Sequence, residues 1–330
     1  MQGVCGCSFR EHVNCVNSKQ RTNNERRLNM LTLADIYEIY EKYKGDYNAE
    51  VEEFTIGHKE FKFNSQTAIL GIINLSVDSW YKHGICYTPE QAIRRGKVLT
   101  AQGADIIDIG AEATAKNTER ADEFKQTSQL LPIIQTFSQE GVLSSVDTYY
   151  PEVARECLKA GANVINFTGT EKSEEMYRLV ADFDAAIIMC YIQGKHARDV
   201  GEFDFNLGKD PIDLLYDYFG KEIEIATKMG VKKIFIDPGF GLGYTNFYYQ
   251  YKNASSRLRY QIETLLNAFR LRKLGFPVFN VIPTALEVFG EEFRSSQVLT
   301  AVFAALGKSD LLRTHEVSKV KAVLDTLSIV

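Results

Sequence analysis

No stretch of this chain approaches 18 consecutive apolar residues, so a membrane-spanning helix is excluded. The first residues lack an apolar signal core; secretion is not expected, and a cytoplasmic location is. A positive excess is also missing. The 38 Lys and Arg residues face 43 Asp and Glu, a net charge of −5, and nothing in that balance points to nucleic acid. Cysteines are few and scattered, at 5, 7, 15, 86, 157 and 190, and Cys5, Cys7 and Cys15 have no second Cys or His pair at zinc-finger spacing. They read as reduced thiols. Internal repeats, linkers and low-complexity runs are lacking too, which favours one main domain. What the chain does have is 330 residues, 45% of them hydrophobic, ample for a well-buried core.

Residues 1–29 are polar, slightly positive and aperiodic, and read as a flexible tail. Met30 is a second candidate start, since "LTLADIYEIYEKY" follows it with helical spacing. Residues 30–66 add to that helix the segment "VEEFTIGHKEFKFN" (51–64), which alternates around Gly57 and is expected to form a hairpin closing the bottom of a barrel.

From Thr67 to Val330 strands and helices take turns. "AILGIINL" (68–75), "ADIIDIGA" (104–111), "VLSSVDT" (142–148), "NVINFTG" (163–169), "AAIIMCY" (185–191), "KKIFIDPG" (232–239), "PVFNVIP" (277–283) and "LLRTHEV" (311–317) are short β-type runs. Helical spacing fills 89–103, 119–139, 151–161, 173–182, 209–229, 254–273, 292–306 and 317–328. Thr88 before Pro89 is a helix N-cap and Gly103 a stop. Short, continuously apolar strands alternating with helices predict a parallel sheet buried on both faces. Eight such units predict a closed (β/α)8 barrel, the TIM barrel of the α/β class, over a doubly wound sheet of five or six strands.

In such a barrel the working residues lie at the C-terminal strand ends. Strand 1 supplies Asn74, strand 2 Asp108 with Glu112 and Thr114 in its loop, strand 3 Asp147 and strand 4 Asn166. Strand 5 ends near Met189, strand 6 at Asp237, strand 7 carries Asn280, and strand 8 carries Arg313 and His315. A single strand-end Asp commonly caps a turn or the next helix. Carboxylates and carboxamides converging from several strands instead predict a polar planar or phosphorylated ligand. Asp147 and Asp237 suit the paired N–H groups of an amidine-like edge, and Asn166 both donates and accepts. Arg313 and His315 alternate on one strand, face the same side, and suit an anion. Without a His and carboxylate cluster, a dedicated metal cage is not expected, and Mg2+ held through a substrate phosphate is the alternative. After Asp237, Gly239, Gly241 and Gly243 let the backbone turn closely around a ring.

These stretches resemble the dihydropteroate synthase family of pterin-binding TIM barrels. "GIINLSVDSW" and "GADIIDIGAEAT" are similar to its first two strand motifs, "VDT" with "GANVINF" to strands 3 and 4, and "IDPGFGLG" with "LLRTHEV" to strands 6 and 8. The resemblance covers roughly 65 to 328. It implies coupling of 6-hydroxymethyl-7,8-dihydropterin pyrophosphate to p-aminobenzoate with release of pyrophosphate, in folate biosynthesis. It also implies Mg2+ carried with the substrate, and a homodimer. By motif, Asp147, Asn166, Met189, Asp237, Gly239, Phe240 and Gly241 would hold the pterin. Asn74, Arg313 and His315 would hold the pyrophosphate, with Asn74 near Mg2+ and Thr114 on the loop beside the phosphates.

The chain departs from the family pattern at defined places. The second loop reads Ala113-Thr114-Ala115-Lys116 where the family has Ser-Thr-Arg-Pro, leaving Lys116 as a weaker point charge. Pro283-Thr284-Ala285 stand where the family has Ser-Arg-Lys; a further family lysine is Tyr244 here, the Asp after the strand-4 Asn is Phe167, and the strand-5 His is aligned with Cys190. Asn280 is a candidate compensating group, as related folate-binding methyltransferase barrels use an Asn from this region. Three readings follow: a synthase of this family, with p-aminobenzoate or a related amine as nucleophile; a reduced-folate barrel for one-carbon transfer; and a non-catalytic or partner-dependent pterin-binding homologue.

Overall fold

The computed structural model describes residues 30–114, 118–202, 210–239, 241–242 and 251–329. The chain divides into two compact units between Tyr43 and Lys44. The N-terminal helix spans Leu33–Tyr47, breaks its helical geometry at Tyr43, and opens with Asp35 accepting from the backbone N–H of Thr32 at 2.6 Å.

Eight parallel strands form the core of the second unit: β1 (Ala68–Asn74), β2 (Ile106–Gly110), β3 (Ser144–Thr148), β4 (Val164–Phe167), β5 (Ala186–Cys190), β6 (Lys233–Asp237), β7 (Phe279–Val281) and β8 (Leu311–Thr314). Their order is β6-β5-β4-β3-β2-β1-β8-β7, and a single parallel bridge between Ile236 and Val278 joins the two ends. The expected (β/α)8 barrel is therefore what forms. Helices α1 (Pro89–Ala101), α2 (Glu123–Glu140), α3 (Pro151–Lys159), α4 (Ser173–Asp182), α5 (Pro211–Lys228), α6 (Tyr251–Leu266), α7 (Phe293–Leu306) and α8 (Val317–Leu327) follow the strands.

Local chemistry sets the helix limits. Thr88 accepts from Gln91 N at 3.3 Å ahead of Pro89, as its position predicts. Helix α2 starts later than residue 119, because Asp122 takes the N-cap position and accepts from Lys125 N at 2.8 Å; it stops at Gly141, whose φ of 72° only glycine adopts without strain. The segment expected to be helical to 273 stops as α-helix at Leu266 and continues as a 3-10 turn, Ala268–Leu274.

Strand alternation divides the apolar residues into two layers. Ile69, Ile107, Ile165, Ile187, Ile234 and Leu312 point out beneath the helices. Leu70, Ile106, Leu143, Val164, Ala186, Ile188, Phe235, Phe279 and Leu311 point in. The antiparallel hairpin of Thr55–Ile56 with Lys59–Glu60 adds Ile56, Phe61 and Phe63 to the inner layer. Phe54 and Phe63 meet Phe235 edge-on at 5.3 and 5.4 Å, so this hairpin plugs the end of the barrel where the strands begin. The barrel thus opens only at the strand C-termini.

A buried ion pair fastens the closed end. Arg272 Nη1 lies 2.6 Å from Asp310 Oδ1, while Asp310 Oδ2 accepts from Val278 N at 2.8 Å. The other guanidinium nitrogens reach Asn64 Oδ1 and Ala49 O at 2.7 and 3.1 Å. Both residues are buried. Truncating one partner of such a pair strands the other charge and costs about 3–5 kcal/mol. Asp310→Ala is expected to lower the melting temperature by roughly 10 °C while leaving ligand affinity at the open end unchanged. Differential scanning calorimetry beside a binding titration checks both halves of that expectation.

Candidate active site

The open end collects polar side chains from six strands. In β2, alternation places Asp108 on the same inward face as Ile106; it is fully buried and accepts from Ser145 Oγ at 2.7 Å and Asn166 Nδ2 at 3.3 Å. Arg313 enters from β8. Its Nε donates to Asp108 Oδ2 at 2.7 Å and its Nη2 to Asp147 Oδ2 at 2.9 Å. Thr168 Oγ1 donates to the other Asp147 oxygen at 3.2 Å. Asp237 is buried at the end of β6 and accepts from Gly239 N at 2.8 Å. Gly239 has φ +80°, and a Cβ there would lie 1.9 Å from Tyr191 O, so no other residue fits this turn.

Burial pushes the Asp237 carboxyl up to about 6 against the pull of the Gly239 N–H. Burial likewise lifts Asp147 to about 6, with Arg313 opposing the rise and Asp108 adding to it. Cys190 has its thiol raised by burial and by Asp237 beside it, which holds it protonated.

A second group forms the rim. Asn74 Nδ2 is 3.0 Å from His315 Nε2, and the His315 ring stacks on Tyr81 with centroids 3.9 Å apart and an 11° tilt. The Tyr81 hydroxyl donates to Glu316, which Arg294 also holds at 2.5 and 3.1 Å. Burial, then Arg313 and Arg95, push the His315 imidazole well below its usual range, so it is neutral at pH 7.

Two expected site residues stand elsewhere. Met189 pairs in register with Phe167, and both belong to the layer under the helices; a small cavity they share is walled by Tyr177, Tyr218 and Glu222. Cys190, the next residue, takes the inward position against Asp237. Asn280 pairs with the outward Leu312, is fully buried, and donates to Ser309 Oγ at 2.8 Å near the closed end. Phe279 and Val281 point inward instead, so Asn280 does not face the open end and offers the folate-methyltransferase comparison no residue there. Asn74, Asp147, Asn166, Asp237, Arg313 and His315 do converge, Gly239 forms the adjoining turn, and Gly241 lies against Val281. Thr114 is half-buried on the second loop. Lys116, Phe240 and Tyr244 lie outside the described residues.

Asp108, which the strand-end reading placed at the open end and the family motifs gave no role, is the buried partner of Arg313, Ser145 and Asn166. Tyr81 gave no signal, because its contact with His315 crosses 234 residues of chain.

A barrel whose open end gathers three aspartates, an asparagine and one guanidinium defines a binder of nitrogen-rich rings. The model of the family described as pterin binding enzyme matches residues 70–268, and the chain belongs to that family. Its relatives are dihydropteroate synthases. That of Clostridium beijerinckii is 32% identical over 273 residues, covering 79% of this chain and 93% of its own, and that of Synechocystis is 29% identical over 275 residues, covering 79% and 89%. Among solved structures, the Clostridium difficile dihydropteroate synthase, in the presence of pteroic acid, has a TM-score of 0.68 and 27% identity, covering 82% of this chain and 98% of its own. The Thermus thermophilus dihydropteroate synthase in complex with 6HMPPP has a TM-score of 0.67 and 26% identity, covering 84% and 100%. The chain is a dihydropteroate synthase-like transferase.

Raised carboxyl groups give a pH signature. A ligand that donates N–H groups to Asp237 and Asp147 needs them ionised, so affinity is retained above pH 6 and lost as pH falls through it. Pterin affinity, measured by isothermal titration between pH 7 and pH 4.5, is expected to drop about tenfold per unit or more below pH 6. Asp237→Asn is expected to weaken binding at pH 7 by roughly 10- to 100-fold and to flatten that slope.

Proposed function

We propose that this chain couples 6-hydroxymethyl-7,8-dihydropterin pyrophosphate to p-aminobenzoate or a related aryl amine, releasing pyrophosphate. The observation that carries this reading is the buried Asn166 Oδ1, an acceptor with no hydrogen-bond partner among the described residues, on a side chain whose Nδ2 donates to Asp108 and whose strand neighbour is Asp147. An open acceptor beside carboxylates suits a ligand rich in N–H donors, the amino-bearing edge of a pterin. Asp237 and Asp147 would take that edge, and the Gly239 turn would admit the ring.

Arg313 spends Nε and Nη2 on carboxylates, while its Nη1 has no partner among the described residues. Nη1, with the Asn74–His315 pair, makes the anion-facing side of the site. In the reaction the carbon–oxygen bond to the diphosphate breaks and its electron pair leaves with oxygen. The amine nitrogen bonds the pterin methylene carbon and gives up a proton. Positive charge on the pterin is stabilised by the Asp carboxylates, and negative charge on the leaving diphosphate by Arg313, in a preorganised site.

Asn74 Oδ1 is a hard oxygen donor beside the anion-facing groups, and it would be the protein's ligand to Mg2+ carried by the diphosphate. When bound, the ion would neutralise charge on the leaving group. A homodimer and a cytoplasmic setting belong to the same proposal; among the described residues no helix is long and apolar enough to cross a membrane.

One observation favours a second reading, a pterin-binding homologue that is not a p-aminobenzoate synthase. The Pro283 carbonyl accepts from Ser296 Oγ and Thr300 Oγ1 at 3.3 and 3.2 Å, and the buried Ala285 turns left-handed at φ 44°. This stretch is packed against α7 and presents no cation where the family has Arg and Lys. The experiment is incubation with the pterin pyrophosphate, Mg2+ and p-aminobenzoate, followed by mass spectrometry and a pyrophosphate assay. The expected result is dihydropteroate with stoichiometric pyrophosphate. Pyrophosphate without dihydropteroate would assign another nucleophile, and tight pterin binding with neither product would establish the second reading.

A further inference from the structure

The second loop, from Ala111 to Ala121, has lost the Arg and Pro of the family pattern, yet its two ends are held by a group from a different strand. After β5 the chain folds back in a tight hairpin, with Gly194 bridged to Val200 and Lys195 N donating to Asp199 O at 3.1 Å. A Cβ at Gly194 would lie 2.2 Å from Asp199 O, so the hairpin requires glycine there. Ala197 N donates to Thr168 O at 2.9 Å and His196 stacks on Tyr149 at 4.2 Å with an 8° tilt, seating the hairpin on the ends of β4 and β3. From its tip Arg198 reaches across to the second loop.

The Arg198 side chain is only 4% exposed. Its Nη1 donates to Ala113 O and, at 2.7 Å, to Thr118 Oγ1; its Nη2 donates to Thr118 O at 2.9 Å; its Nε lies 3.6 Å from Glu112 Oε1. Glu112 in turn accepts from Tyr149 OH at 2.6 Å and from Ala121 N at 3.0 Å. One guanidinium thus ties Ala113, the residue before Thr114, to Thr118 on the far side of the loop. A planar fork of fixed donors suits this task, and a lysine ammonium does not reproduce it. Removing the fork would leave two backbone carbonyls and Glu112 without their buried partner.

We propose that Arg198 is the positioning residue of the second loop, holding Ala113 and Thr118 so that Thr114 is set against the diphosphate of the substrate. Its bonds to protein are consumed by the loop, so it acts through the loop and touches no substrate. This assignment rests on the synthase reading for the identity of the anion, but the tether itself is independent of it.

The test uses the full chain with Arg198→Gln and Arg198→Lys. In Arg198→Gln, hydrogen exchange of the amides from Ala113 to Ala121 is expected to accelerate about tenfold or more, with the barrel strands unchanged. Pterin affinity, set by the strand residues, is expected to stay within about twofold, whereas kcat/KM for the pterin pyrophosphate falls about 10- to 100-fold. Arg198→Lys is expected to recover only part of that loss. Unchanged exchange in the loop would overturn the tether, even for a protein with no synthase turnover. Faster loop exchange with unaltered kcat/KM would overturn the positioning role, as would pterin affinity falling in step with activity.

Discussion

Everything at the open end of this barrel depends on one guanidinium placed among carboxylates. Asp108 is fully buried, Asp147 and Asp237 are close by, and three such acids could not share a low-dielectric cup without a counter-charge. Arg313 supplies it through two short hydrogen bonds. Burial outweighs that counter-charge at two of the acids, Asp147 and Asp237, and pushes their carboxyl groups up to about 6. In the proposed function, that residual cost is what an N–H-donating ligand would relieve and a hydrocarbon could not.

The same arrangement explains why the strands are so uneven in polarity. Leu70, Ile106, Val164, Ala186, Phe235, Phe279 and Leu311 are apolar where they meet the layer of the Phe54, Phe61 and Phe63 plug. The last inward residues of β1, β2, β3, β4, β6 and β8 are polar: Asn74, Asp108, Asp147, Asn166, Asp237 and Arg313. The change occurs within two residues on β2, from Ile106 to Asp108, and on β6, from Phe235 to Asp237. The Arg272–Asp310 pair locks the closed end, which lets the open end keep groups that gain little by folding.

The eight-unit barrel was legible in the sequence because parallel strands buried on both faces are continuous apolar runs, each ended by a turn or cap. Asp147, Asn166, Asp237 and Arg313 were legible because strand ends converge by topology. Asp108 was legible in the same way. Period-two alternation, applied residue by residue, would also have turned Met189 and Asn280 outward; motif alignment obscured it at those two positions, since shifting a strand by one residue exchanges its faces. The Arg198 tether and the Tyr81 stack on His315 were not legible at all. They join loops whose approach is decided by tertiary packing, and neither leaves a local pattern.

The join between β6 and β7 has a further meaning. Neighbouring strands elsewhere pair through three to five residues, as between β5 and β6, whereas Ile236 and Val278 share one bridge. Topologically the sheet is a ring; mechanically it is a ribbon with a seam. Asp237 is the residue next to that seam. Loosening there would shift Asp237 and its Gly239 turn before it disturbed the remaining strands, so the seam is where the open end of the barrel can change shape at least cost to the fold.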